Sequence, residues 1–145
     1  MIDVGQKPAT ARVAVARGRV RCSKVALGAI RKGQVEKGDV LAAARLAGIL
    51  GAKHTPDIVP LCHPIGLAGV EVEIELVQRP HPAVEIKARV RTVERTGVEM
   101  EALTAVCAAA LCVYDMLKSR DRGMVIEEVS LWEKTGGRSG TWKRG

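Results

Sequence analysis

Aromatic side chains are almost missing from this 145-residue sequence, which has two Trp, one Tyr and no Phe. The core must therefore be aliphatic, and the base-stacking platforms of single-strand nucleic-acid binders are scarce. The four cysteines form no C-x-x-C pair and no zinc spacing, which predicts reduced, buried thiols and no metal centre. No apolar run reaches the ~20 residues of a membrane span, and the first residues do not resemble a signal peptide. We therefore expect a cytoplasmic protein without a membrane partner.

Charge is unevenly balanced, with 23 basic against 16 acidic residues and a net charge of +7. A basic excess of this kind favours an anionic partner, either a nucleic acid or a phosphorylated small molecule. Apolar residues make up 47% of the chain. The sequence contains no internal repeat and no segment typical of a linker between domains. These features predict one globular domain over residues 1–145, with about 1–10 and 135–145 flexible until a ligand binds.

The periodicity of apolar residues predicts an α+β fold. Apolar and polar residues alternate as in strands over 11–21, 69–77, 83–94 and about 124–134. Helical patterns cover 24–31, about 40–53 after the N-cap Asp39, and 96–120. The order β-α-α-β-β-α-β predicts a ferredoxin-like split βαβ arrangement, in which helices cover one face of a four-stranded antiparallel sheet and one helix is extra. Three prolines predict an extended loop, free of helix, over 55–66.

The helix predicted over 96–120 carries acidic and basic residues within an otherwise apolar sequence. Asp115 and Lys118 lie on the same helical stripe as Glu101, Ala108 and Leu111, so we expect the pair to be at least partly buried. Buried charges have shifted pKa values, which suit acid–base chemistry. On spacing alone the alternative is favoured, namely an ordinary surface ion pair that contributes ~0.2–0.5 kcal/mol.

Two further segments carry candidate functional groups. Cys62 and His63 lie in the proline-stiffened P-L-C-H-P segment, where His63 either transfers protons and binds phosphate or only caps backbone groups. Lys37 precedes a helix N-terminus, which attracts anions, whereas Lys53 at the far end of that helix complements the dipole. The glycine-rich run from Lys134 to Gly140 has the composition of a phosphate nest or of a disordered tail.

Six stretches that span nearly the whole chain carry a resemblance to a known family. They are D-V-G-Q-K-P-A-T-A-R (3–12), K-G-D-V-L-A-A-A-R-L-A-G-I-L-G-A-K (37–53), I-V-P-L-C-H-P-I (58–65), T-G-V-E-M-E-A-L-T-A-V (96–106), Y-D-M-L-K (114–118) and K-T-G-G-R-S-G (134–140). The most specific motifs within them are P-L-C-H-P, T-G-V-E-M-E-A-L and Y-D-M-x-K. In this order they resemble the MoaC family of cyclic pyranopterin monophosphate synthases.

The resemblance implies a lyase of molybdenum cofactor biosynthesis. Its substrate would be a cyclised 7,8-dihydro-GTP made by a radical SAM GTP cyclase, the pathway partner. The reaction would rearrange the purine into a pyranopterin, close a cyclic phosphate and release pyrophosphate. The catalytic positions of the family correspond here to Lys37, Asp115 and Lys118.

The same resemblance implies a substrate pocket at a dimer interface, within a homohexamer built as a trimer of dimers. The triphosphate needs cations, and the purine edge has donors that match a carboxylate. No metal or resident cofactor is expected, and whether Mg²⁺ accompanies the triphosphate stays open. The substrate-binding positions are Arg12, Lys53, Cys62, His63, Glu99, Met100, Glu101, Lys134 and Arg138.

Two other classes of function compete with this interpretation. A basic ferredoxin-like domain can bind RNA, but it usually does so through exposed aromatic residues on central strands, which this sequence lacks. A non-catalytic oligomeric scaffold is also compatible with the fold, since a fold does not fix a function. A scaffold gives no reason for Lys37, Asp115 and Lys118 to occur together, so we favour the enzyme and expect no nucleic-acid partner.

Overall fold

A computed structural model describes all residues from Met1 to Gly145 as one α+β unit. The sheet is antiparallel and has five strands in the order β2-β3-β1-β4-β5. The strands are β1 (Thr10–Arg21), β2 (Gly69–Val77), β3 (Ala83–Glu94), β4 (Val125–Thr135) and β5 (Trp142–Lys143). The helices are α1 (Lys24–Arg31), α2 (Val40–Lys53), α3 (Thr55–Ile58) and α4 (Glu99–Leu117).

The α+β class predicted from periodicity is confirmed, and the order β2-β3-β1-β4 is compatible with a ferredoxin-like arrangement. The sheet has one more strand than predicted. β5 is only two residues long and joins β4 through Glu133 and Lys134, so it is too short to produce an alternating pattern. In the segment 135–145 the structure describes a turn and this short strand; its dependence on a ligand stays a prediction.

The core lies between the sheet and the long helix α4, which packs across β1, β3 and β4. Alternate residues of β1 and β3 supply small aliphatic side chains to it, and α4 supplies a run of alanines and valines. On β2, Val72 is buried and its apolar neighbours are partly buried, whereas Glu71, Glu73 and Glu75 are exposed. The predicted orientation of β2 is therefore confirmed.

Helices α2 and α4 pack antiparallel and very closely through glycine. A Cβ atom on Gly51 would lie 2.6 Å from the Cβ of Ala108 and 3.0 Å from the carbonyl oxygen of Thr104. A Cβ atom on Gly48 would meet Val72 at 3.0 Å and the Ala105 carbonyl oxygen at 3.1 Å. Because both glycines lack that atom, the two helix backbones lie in direct contact, and α2 fixes the position of α4.

Two local expectations about helices are wrong. The segment 55–66 does not begin as an extended loop, because Thr55–Ile58 forms one helical turn with Pro56 in its first turn, where proline is tolerated. The helix predicted over 96–120 is shorter, Glu99–Leu117. That helix is also long and apolar enough to span a membrane by length and composition, but half of this stretch is buried within the fold, as in a core helix.

The tight contact between α2 and α4 predicts that Gly51→Ala destabilises the protein by about 1–3 kcal/mol, because the new methyl group overlaps Ala108. Gly28→Ala in α1 is the matched control. Nothing lies within 4 Å of its Cβ position, so it should stabilise by about 0.5–1 kcal/mol through helix propensity. Urea unfolding at one fixed protein concentration measures both changes. Equal effects of the two substitutions would contradict the packing argument.

Candidate active site

Asp115 joins two lysines at the C-terminal end of α4. Its Oδ2 accepts a hydrogen bond from Lys37 Nζ at 2.5 Å, and its Oδ1 accepts one from Lys118 Nζ at 2.7 Å. Lys37 Nζ also lies 3.3 Å from the carbonyl oxygen of Asp115. These three residues, which we call the acid–base cluster, carry two positive charges and one negative charge. The sequence placed them as candidates, and the structure brings all three together.

The turn between α1 and α2 positions Lys37. Gly33 and Gly38 both have positive φ, at +63° and +101°, which glycine adopts without steric cost. Between them Val35 is buried and anchors the turn in the core. Asp39 then caps α2 by accepting a hydrogen bond from the backbone N–H of Ala42 at 3.0 Å. Lys37 is therefore held between a buried anchor and a helix cap.

The ion pairs shift the pKa values of Asp115 and Lys118. Hydrogen bonds from Lys118 and from Lys37 lower the pKa of Asp115 from 3.8 to about 2. The hydrogen bond to Asp115 raises the pKa of Lys118. We expected burial to shift these pKa values, but the main cause is the ion pair, because an adjacent carboxylate stabilises the ammonium form and an adjacent ammonium stabilises the carboxylate.

The expected burial of this end of α4 is also wrong. The side chains of Asp115 and Lys118 are 52% and 56% exposed, and Leu111 on the same stripe is 62% exposed. The stripe is therefore buried at its N-terminal part, where Glu101 is enclosed and Ala108 packs on α2, and exposed from Leu111 to Lys118.

A second group of candidates surrounds the N-terminal end of α4. Glu101 is 1% exposed, and burial raises the pKa of its carboxyl group. Its Oε1 accepts a hydrogen bond from Cys62 Sγ at 3.6 Å, whereas its Oε2 has no hydrogen-bond partner. Burial and the nearby Glu101 also raise the pKa of Cys62. Glu101 therefore has one buried carboxylate oxygen that no donor of this chain satisfies.

Glu99 and Lys134 form an ion pair beside Glu101. Lys134 Nζ donates to Glu99 Oε1 at 2.9 Å, and both side chains are about 30% exposed. Arg12 lies next to this pair, and its guanidinium donates to the carbonyl oxygens of Glu94 and Arg95. A Cβ atom on Gly137 would lie 2.2 Å from Nη1 of Arg12, so the glycine-rich turn after Lys134 packs directly on that guanidinium.

The other predicted binding residues lie around the same end of α4. His63 follows Cys62 in the loop before β2 and is partly buried. Met100 is 39% exposed, and Lys53 is exposed two residues after Gly51, which contacts Thr104. Arg138 is exposed in the turn beyond Gly137. We call these residues together the binding cluster: Arg12, Lys53, Cys62, His63, Glu99, Met100, Glu101, Lys134 and Arg138.

The structure also reveals residues that the sequence did not single out. Arg95 lies four residues before Glu99, and its Nη1 donates to the carbonyl oxygen of Gly5 at 2.5 Å, so it fastens the N-terminal segment beside the binding cluster. Cys112 lies near Asp115 and Lys37, and burial raises the pKa of its thiol. No local pattern marks either residue, because their contacts join distant parts of the chain.

Two predictions about the cysteines and histidines can be compared with the structure. All four cysteines are free, but Cys107 is exposed and only Cys22 is fully buried, so the expected burial is wrong for Cys107. No group of three or more His, Cys, Asp or Glu side chains is arranged to hold a metal ion. His54 instead contacts Asp57 at 2.9 Å.

The acid–base cluster and the binding cluster lie at opposite ends of α4. Asp115 follows Glu101 by fourteen positions, which places them about 21 Å apart along the helix axis. Reacting atoms must approach to about 3–3.5 Å, so one small substrate cannot use both clusters of a single chain at once. Within one subunit the candidate site is therefore divided into two halves.

Fold and site together define an α+β subunit with a cationic acid–base cluster and a separate polar pocket. The chain belongs to the MoaC family, whose model matches residues 1–137. It is 59% identical to the cyclic pyranopterin monophosphate synthase of Thermomicrobium roseum, over 99% of this chain and 86% of the relative. The synthases of Nocardioides sp. and Heliobacterium modesticaldum are 51% and 54% identical, over 88% and 90% of their lengths. The family is one of enzymes.

The bridging position of Asp115 predicts its titration. Its pKa is lowered in the folded chain, so its stabilising contribution is present above about 3.8 and is lost as the pH falls through about 2. Lys118→Met should raise the pKa of Asp115 by removing the larger contribution, and Lys37→Met should raise it too. Carbon-13 NMR of labelled aspartate measures the midpoint. A wild-type midpoint that neither substitution moves would contradict the bridge.

Proposed function

We propose that this protein is a cyclic pyranopterin monophosphate synthase of molybdenum cofactor biosynthesis, a lyase that releases pyrophosphate. The observation that carries the proposal is the Lys37–Asp115–Lys118 cluster, which occurs in a chain that matches the MoaC family over residues 1–137. The substrate is a cyclised 7,8-dihydro-GTP, supplied by a radical SAM GTP cyclase. The protein acts in the cytoplasm.

The binding cluster has the chemistry that this substrate needs. Lys53, Lys134 and Arg138 supply positive charge for the triphosphate, and the glycine-rich turn can direct backbone N–H groups toward it. Glu101 is buried with Oε2 unpartnered, and a pocket that opens on substrate binding would let this oxygen accept from the N–H groups of the purine-derived ring. Lys134 is paired with Glu99 in the free subunit, so an incoming phosphate exchanges one anionic partner of Lys134 for another. The site supplies its own cations and requires no resident cofactor.

The acid–base cluster handles the protons of the reaction. A substrate hydroxyl group passes its proton to a water molecule and its oxygen attacks the α-phosphorus. The new P–O bond closes the cyclic phosphate, and pyrophosphate leaves with the electrons of the broken P–O bond. Lys118 is an ammonium in the free subunit, because Asp115 raises its pKa, so it is suited to donate a proton. Asp115 holds both lysines in place and, with a pKa of about 2, is itself a poor base.

A complete site requires two subunits. Because the clusters lie about 21 Å apart on one α4, we propose an antiparallel dimer in which the C-terminal end of one α4 meets the N-terminal end of its partner. The exposed apolar residues of α2 and α4 support this interface: Leu46, Leu50, Cys107 and Leu111. A two-fold axis near the middle of α4 makes two identical sites, and three such dimers make the hexamer.

Turnover of the cyclised dihydro-GTP tests the proposal. Wild-type protein should release pyrophosphate, and Lys37→Ala and Lys118→Ala should each lower turnover about 100-fold or more, since each removes a proton-transferring group. Native mass spectrometry of every variant shows whether the assembly is intact. The control is Lys32→Ala, which removes a nearby lysine that forms no ion pair.

The outcomes separate the possibilities. Inactive wild-type protein would overturn the enzyme assignment, and the non-catalytic oligomeric scaffold would remain as the explanation. Active wild-type protein with fully active Lys37→Ala and Lys118→Ala variants would show that the cluster is an ordinary surface ion pair. Activity in a strictly monomeric protein would contradict the shared site, since one subunit holds only half of it.

A further inference from the structure

The ammonium group of Lys37 has two roles that it cannot fill at the same time. In the free subunit its ammonium group binds Asp115 at 2.5 Å, and this bond joins the turn between α1 and α2 to the end of α4. If Lys37 acts on the substrate, as proposed above, the same ammonium group must leave Asp115 and the bond is lost. Val35 still anchors the turn in the core and the Asp39 cap still joins it to α2, but holding it against the end of α4 then requires a second attachment there.

Arg120 supplies that second attachment. It lies just beyond the C-terminal end of α4, where its backbone N–H bonds the Leu117 carbonyl oxygen at 2.8 Å. Its Nη2 donates to the carbonyl oxygen of Gln34 at 2.5 Å. Gln34 lies three residues before Lys37, between Gly33 and Gly38, which both have positive φ. The bond therefore joins the turn that carries Lys37 to the segment directly after α4, the helix that carries Asp115.

We infer that Arg120 is a positioning residue for Lys37, holding its turn against the end of α4 while the ammonium group leaves Asp115 for the substrate. This inference rests on the catalytic role proposed for Lys37. Arg120 forms no ion pair with the carboxylates of this region, so its guanidinium remains bound to Gln34 whether or not Lys37 is engaged. Its role is geometric, and it does not touch the reacting atoms.

The neighbouring Arg122 offers a matched control. It is exposed and forms no side-chain hydrogen bond, while its backbone carbonyl oxygen accepts a bond from Tyr114. Arg122→Ala therefore removes the same charge from the same surface without releasing the turn. Arg120→Lys is the conservative rescue, because an ammonium group also donates a hydrogen bond to a carbonyl oxygen.

The experiment compares Arg120→Ala, Arg120→Lys and Arg122→Ala with the wild-type protein, each in its intact assembled form. Arg120→Ala should lower kcat about tenfold or more and leave KM within about twofold, because a displaced Lys37 slows the chemistry more than the binding. It should also raise the pKa of Asp115, measured by carbon-13 NMR, because Lys37 spends less time on that carboxylate. Arg120→Lys should restore most of both properties, and Arg122→Ala should change neither.

The titration of Asp115 tests the positioning role of Arg120 separately from the catalytic role of Lys37. If Lys37→Ala retains turnover, the catalytic role of Lys37 is wrong, and an unchanged pKa of Asp115 in Arg120→Ala would overturn the attachment as well. A loss of melting temperature in Arg120→Ala, with wild-type kcat and a wild-type Asp115 titration, would show a purely structural role and overturn the inference. Equal effects in Arg120→Ala and Arg122→Ala would also overturn it, since only the lost charge would then matter.

Discussion

The close packing of α4 fixes the geometry on which the proposed site depends. Gly48 and Gly51 let α2 lie directly against one side of the helix. On another side, a Cβ atom on Gly18 of β1 would lie 2.8 Å from Val106. Held on both sides, α4 cannot bend or slide to bring its two ends closer. The acid–base cluster and the binding cluster are therefore kept about 21 Å apart in every subunit, and only a second subunit can bring them together.

The proposed dimer would also change the charge state of the acid–base cluster. Alone, the cluster is exposed and Asp115 raises the pKa of Lys118, which favours proton donation over proton acceptance. A partner that covers this end of α4 removes water and brings further cations close, and both changes lower the pKa of a lysine. Assembly would thus convert an ordinary surface ion pair into a group suited to accept protons as well as to donate them. The surface ion pair that the sequence left open describes the single chain, and under the proposal the acid–base group describes the assembled one.

The sequence predicted the elements of the fold better than the pairing of their side chains. Strict alternation located β1, β2 and β3 within one or two residues, because one face of each strand must be apolar. The orientation of α4 was not predictable in this way, since apolar residues occur nearly all around it and periodicity cannot select a buried side. Contacts such as Cys62–Glu101 and Lys134–Glu99 join residues 39 and 35 positions apart, and no local pattern encodes them. The family motifs supplied these candidates, and the fold then sorted them into two clusters.

Complementation between subunits tests the shared site most directly. Lys118→Ala impairs the acid–base cluster and Glu101→Gln impairs the binding cluster, so each variant alone should be nearly inactive. A mixed dimer holds one site with both substitutions and one site with neither. Mixed dimers can be isolated by placing a different affinity tag on each variant. They should release pyrophosphate at about half of the wild-type rate. Mixed dimers as inactive as both parents would contradict a site built from two subunits.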